Sequence, residues 1–198
     1  MPRGVAIAEP RQHLFAAAER VIAAEGPSQL TSRAVTREAG VATGLLFAHF
    51  AGFDDFLIGY AVDRSFQIAA ATAGLAGRAG TGTIAANLSE TVLATPLITL
   101  QAVTRLVAYR PTLAADVEAV LGNGSAALRP LERTVVEYLV AEQQIGRLPA
   151  GADTEALALA VIGVLHHVAL TDGTSPAADS RIRRAMTALT HGSQAITS

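Results

Sequence analysis

At 198 residues the chain can bury a substantial core, either as one domain or as a small domain joined to a larger one. Hydrophobic residues account for 51% and charged residues for 16%, a balance that leaves apolar surface over and points to a buried subunit interface. Cysteine is absent, which excludes disulfides, thiolate chemistry and cysteine-ligated zinc, and a net charge of −2 excludes a protein that coats nucleic acid without specificity.

No uninterrupted apolar run reaches about 18 residues, and Met1 to Pro10 holds no long apolar stretch behind a basic start. The sequence therefore predicts a soluble cytoplasmic protein without a signal peptide. Apolar residues recur at helical spacing almost throughout, with no alternating β-branched run to favour a sheet, so the expected fold is all-α. Pro and Gly divide the chain into nine helical segments near 11–25, 32–39, 43–49, 53–73, 83–94, 97–109, 112–121, 125–145 and 154–171, with a tenth near 177–191.

In the first segment Leu14, Ala18, Val21 and Ile22 form one apolar face, and Gly26-Pro27 ends it. Thr31 is the natural N-cap of the second, with Leu30 and Val35 placed to pack as a hydrophobic staple. Gly40 closes that helix after two turns, and the third begins three residues later. Two short helices meeting across Ala39-Gly40-Val41 have the spacing of a helix-turn-helix. The long fourth segment opens on Asp54 and Asp55, whose charges suit a helix N-terminus, and fades into a Gly-rich stretch from Gly74 to Gly82.

Phe15-Ala16-Ala17-Ala18 and Ala24-Glu25-Gly26 in the first helix are followed by Leu30-Thr31-Ser32-Arg33-Ala34-Val35 in the second, Ala39-Gly40-Val41 in the turn and Gly44-Leu45-Leu46-Phe47-Ala48-His49-Phe50 in the third. In this order and at these spacings, Arg11 to Leu57 resembles the N-terminal domain of the tetracycline-repressor (TetR) family of one-component regulators. The resemblance implies a DNA-binding domain over 6–66, its helix-turn-helix at about 29–48, and a ligand-binding and dimerisation domain over 67–198. It also implies a dimer on a near-palindromic operator, with no cofactor and no metal.

A recognition helix enters the major groove by its N-terminal residues while the preceding helix meets the backbone. The expected DNA contacts are therefore Thr31, Ser32, Arg33, Ala42, Thr43, Gly44, Leu45, Phe47 and His49, with Thr43 to Leu45 at base edges and Thr31, Arg33 and His49 at phosphates. Leu46 and Phe50 are expected in the core, and Phe47 is balanced between groove and core. Where the family usually has Ser, Tyr and Lys, this chain has Ala42, Phe47 and Phe53. Residues 1–60 hold five Arg against six Asp plus Glu, so the reading domain is not basic overall.

The same resemblance implies a small-molecule pocket in the C-terminal bundle and a four-helix interface from the last two helices, and scattered hydroxyls with three Tyr and no Trp point to a small, mostly apolar ligand. For that interface the candidates are Leu157, Val161, Val164, Leu165, Val168, Ile182, Met186 and Leu189, because the 154–171 helix is apolar nearly all round. For the ligand they are Arg105, Tyr109, Tyr138 and His166. Arg105 shares a face with Gln101, Thr104 and Ala108, which favours solvent, and adjacent His166 and His167 point about 100° apart, too far to share a metal. Two rival readings stand beside this one: a TetR-like binding protein with weakened or lost operator affinity, and a helical-bundle enzyme. The second lacks a phosphate loop, a spaced metal set and a Ser/His/Asp grouping.

Overall fold

A computed structural model describes residues 9–173 and 175–192. Met1 to Ala8, carrying the start of the expected DNA-binding domain and the leader reading, and residues 193–198, the end of the expected second domain, lie outside the described residues. The described chain forms ten α-helices and no strand: α1 Pro10–Glu25, α2 Ser32–Glu38, α3 Gly44–His49, α4 Phe53–Thr72, α5 Ile84–Val92, α6 Leu97–Tyr109, α7 Thr112–Leu121, α8 Arg129–Gln144, α9 Thr154–Thr171 and α10 Ala178–Gly192. The expected segment at 125–145 starts four residues late. Pro130, which tolerates only the first turn of a helix, fixes the start at Arg129, and Ala127 before it takes φ +53°.

Two apolar cores hold the helices together, and their division does not follow chain order. The first joins Leu14, Phe15, Val21 and Ile22 of α1 to Val35, Leu46 and Phe50, and to Phe56, Leu57, Tyr60 and Ala61 of α4. It also takes in Ala102, Val103 and Leu106 of α6 and Leu113 and Val117 of α7. The second is built from Ile68 at the far end of α4, Leu100 of α6, and residues of α5, α8, α9 and α10. Helices α4 and α6 thus run through both cores, and a boundary near residue 66 falls inside α4.

Of the subunit-interface residues read from the sequence, five are buried inside the single chain and three are left partly exposed. Val161, Leu165 and Val168 of α9 and Ile182 and Met186 of α10 are at most 3% exposed within this one chain, and Leu157, Val164 and Leu189 pack along the edge of the same core. The buried apolar stripe of α9 packs with α6, α8 and α10 of its own chain. The stripe left outward is Ala156, Leu159, Gly163, His167 and Leu170, spaced three or four residues apart, with Leu159 62% and Leu170 40% exposed. Apolar on both sides, α9 is also the one unbroken helix among the described residues long and apolar enough to cross a membrane.

Candidate nucleic-acid interface

The local chemistry of residues 30–50 builds a rigid two-helix unit. Thr31 Oγ1 accepts from the Ala34 N–H at 3.1 Å, capping α2, while Leu30 and Val35 are buried on either side of the cap as the staple requires. At the other end Gly40, at φ +68°, donates to the Arg37 carbonyl, and Val41 donates to the Thr36 carbonyl at 2.9 Å. Those two bonds make a Schellman ending, which turns the chain sharply enough to start α3 within four residues. His13 Nε2 on α1 donates to the Ala39 carbonyl at 2.8 Å, and Arg20–Glu38 and Arg37–Glu25 ion pairs tie α1 to α2 at 2.6 and 3.4 Å.

Helix α3 is pinned from below by Leu46, fully buried, and Phe50, 4% exposed, as expected. Its outer surface carries Thr43, Gly44, Phe47, Ala48 and His49, with Ala42 exposed just before it and Leu45 half-buried. Phe47, 50% exposed, belongs to the outer face and not to the core. Thr43 does not replace the missing cap at Ala42: its backbone is already helical, and its hydroxyl lies 3.3 Å from Thr36 Oγ1 instead of over the first N–H groups. Phe53 stacks on Phe56, with ring centroids 5.7 Å apart, in the aromatic cluster beneath α3.

Few cations on this surface are free. Arg20 and Arg37 are paired with Glu38 and Glu25, and Arg110 with Asp54 at 2.8 Å. Arg33 is exposed on α2 with no ion pair among the described residues. Arg11, an exposed residue, is held over the Phe50 ring at 4.5 Å in a cation–π contact. Gly59 makes room for it, since a Cβ there would meet Phe50 Cε1 at 3.1 Å and Arg11 Nη2 at 3.3 Å.

Behind the interface lies an ion pair that the sequence did not reveal. Arg64 Nε of α4 donates to Glu19 Oε1 of α1 at 2.7 Å with both side chains buried, and Arg64 Nη1 donates to Gln12 and Asp63. Burial opposes the Arg64 charge, but the carboxylates of Glu19 and Asp63 outweigh it and raise the pKa. Residues 45 positions apart leave no pattern in a single sequence.

The ligand candidates are scattered. Arg105 is neither solvated nor a clamp: Nη1 donates to the carbonyls of Ile22 and Ala23, both at 3.3 Å, because α6 packs against the C-terminal end of α1. Tyr109 is 55% exposed, and Tyr138 is fully buried with its hydroxyl accepting from Asn87 Nδ2 at 3.0 Å. Burial first, and then the Glu142 carboxylate, push the Tyr138 phenol well above its ordinary value. His166 is half-buried on α9, and burial lowers its pKa against the pull of Glu132. None of the four lines the three clefts of about 350, 530 and 310 Å³ found beside α8, α5 and α9.

A short capped helix, a tight turn and a second short helix with an outward face, seated on a helical bundle, have the arrangement of a helix-turn-helix. Residues 14–58 match the family model described as bacterial regulatory proteins, tetR family, so this N-terminal segment is similar to a TetR-type domain. A comparison with the curated proteins finds no match. Among solved structures, the fatty acid degradation regulator FadR from Bacillus halodurans superposes with a TM-score of 0.70 at 17% identity, covering 95% of this chain and 98% of its own. FadR from Bacillus subtilis, solved in complex with stearoyl-CoA, gives 0.65 at 17% identity, with 91% and 98% covered. The TetR-family regulator PfmR from Thermus thermophilus gives 0.69 at 12% identity, with 90% and 97% covered. At these identities the shared property is the fold.

Proposed function

We propose that this chain is a cytoplasmic, ligand-responsive repressor that binds a near-palindromic operator as a homodimer and has no catalytic role. The observation that carries the reading is the exposed α2–α3 face, with Arg33 unpaired at one side and Thr43, Gly44 and Phe47 at the tip, on helices locked from behind. Thr31, Ser32 and Arg33 serve the phosphates, and Ala42 to Phe47 serve the bases. Two such faces one DNA turn apart require a dimer. The outward stripe of α9, from Leu159 to Leu170, is the surface a second copy would cover.

The neighbour solved with stearoyl-CoA supports an apolar ligand for the C-terminal core. Two interior hydroxyls, Ser65 on α4 and Thr104 on α6, have no hydrogen-bond partner among the described residues and sit on the two helices that run through both cores. A molecule bound against them would act on both cores at once, and linkage then requires it to change operator affinity, typically by about 1–3 kcal/mol. Footprinting on DNA upstream of the chain's own gene, followed by a thermal-shift screen of apolar compounds and acyl thioesters, tests both halves. A protected palindrome released by a compound that also raises the melting temperature supports the reading. A protein that protects no site loses the regulator reading, and one that protects a site no compound releases loses the sensing half.

A further inference from the structure

Hydrogen-bond readout of base pairs in the major groove uses a short list of side chains: Arg or Lys for guanine, Asn or Gln for adenine, a carboxylate for cytosine. The recognition helix and its entry, Ala42 to His49, contain none of these. Its outward stripe is Gly44, Phe47 and Ala48, three residues on one helical face. His49 lies about 200° around the helix from Phe47 and cannot reach the same base edges. What this surface offers is an exposed aromatic ring and a methyl group, with a glycine that lets the backbone come close.

The one hydroxyl beside that stripe is chemically restricted. Thr36 Oγ1 donates to the Ser32 carbonyl at 2.9 Å, which uses its single proton. The contact between Thr36 and Thr43 at 3.3 Å is then made by the Thr43 proton. While that contact holds, Thr43 faces outward as an acceptor, placed to take a hydrogen from an exocyclic amino group of adenine or cytosine.

We infer that this chain selects its operator chiefly through the 5-methyl groups of thymines, which Phe47 and Ala48 contact, with Thr43 adding an acceptor-only reading of one adenine or cytosine. The inference rests on the DNA-binding reading above and names the base chemistry it uses. Apolar contact with the thymine methyl is the direct readout open to Phe47 and Ala48. Half-sites rich in A·T pairs follow, with no guanine held by a bidentate contact.

The test uses the full-length protein and the duplex it selects most tightly from a random pool. That duplex is remade with uracil for every half-site thymine, which removes only the methyl groups, and separately with uracil only in the spacer and flanks. Affinity should fall about fourfold for each contacted methyl in the first duplex, the loss expected for one buried carbon, and stay unchanged in the second. Phe47→Ser, at an exposed position outside both cores, should narrow the gap between thymine and uracil half-sites while leaving the helical circular dichroism intact. Equal affinity for thymine and uracil half-sites overturns the inference. Failure to prefer any selected duplex over a scrambled one overturns the DNA-binding reading itself, so the two failures are distinct.

Discussion

Arg105 on α6 reaches the Ile22 carbonyl at the end of α1, and this bond joins a helix of the C-terminal bundle to the helix that carries the DNA-binding unit. A guanidinium at a helix C-terminus complements the partial negative charge there, and here it adds a second donor to the Ile22 carbonyl, which already accepts from Gly26 N–H, and reaches the Ala23 carbonyl as well. We expect Arg105→Ala to lower stability by about 1–3 kcal/mol in urea unfolding, the range for a charge-assisted hydrogen bond. A ligand clamp would behave differently, losing ligand affinity with stability unchanged.

The Glu19–Arg64 pair should show the asymmetry of buried charges. Removing one partner leaves the other uncompensated, so Glu19→Met and Arg64→Leu should each cost about 3–5 kcal/mol, whereas the two combined should cost less than either alone. Chemical denaturation of the three variants measures it, and a double variant as unstable as the sum of the singles would refute the coupling.

Outward and inward residues of α9 should respond in opposite ways. Leu159→Asp places a charge on the exposed stripe and should turn the dimer into a folded monomer, sedimenting at 20.4 kDa instead of about twice that mass. Val161→Asp, two residues away and 1% exposed, should unfold the chain because the charge has no partner in the core. A wild type that sediments as a monomer at micromolar concentration would remove the dimer.

His166 gives the protein an acid limit. Its folded pKa is lowered below the ordinary histidine value of about 6.5, with burial the largest cause, so the unfolded chain takes up the proton first as pH falls. Its contribution is therefore fully present above that ordinary value and declines as pH drops below it. His166→Gln should flatten the fall in melting temperature between pH 7 and pH 5, and an unchanged slope would assign that fall to other groups.

The DNA-binding unit was legible in the sequence because its signals are local. Thr31 caps the helix that starts beside it, Gly40 supplies the positive φ of a turn within five residues, and Leu46 and Phe50 mark the buried side of a two-turn helix. Leu159 and Val161 show where that legibility stops. Both are apolar and both lie on α9, and only the packing of α6, α8 and α10 decides that Val161 faces inward and Leu159 outward. Arg105 escaped for the same reason, because a helical face polar in sequence was covered by a helix 80 residues earlier. Thr43, next to the capless Ala42, does not cap α3, which only its helical backbone angle and the Thr36 hydroxyl show.

Operator binding by the α2–α3 face is tested most directly by a salt titration of wild type and Arg33→Ala on a selected duplex and on a scrambled one. Each phosphate neutralised contributes about −0.9 to the slope of log K against log salt. With Arg33 and Arg11 the arginines without an ion pair on the α1–α3 face among the described residues, a dimer should show a shallow slope of roughly −4, and Arg33→Ala should reduce it by about 2 while weakening both duplexes alike. The selected duplex should stay preferred at every salt concentration. Equal affinity of the wild type for the two duplexes at physiological salt would contradict sequence-specific regulation by this chain.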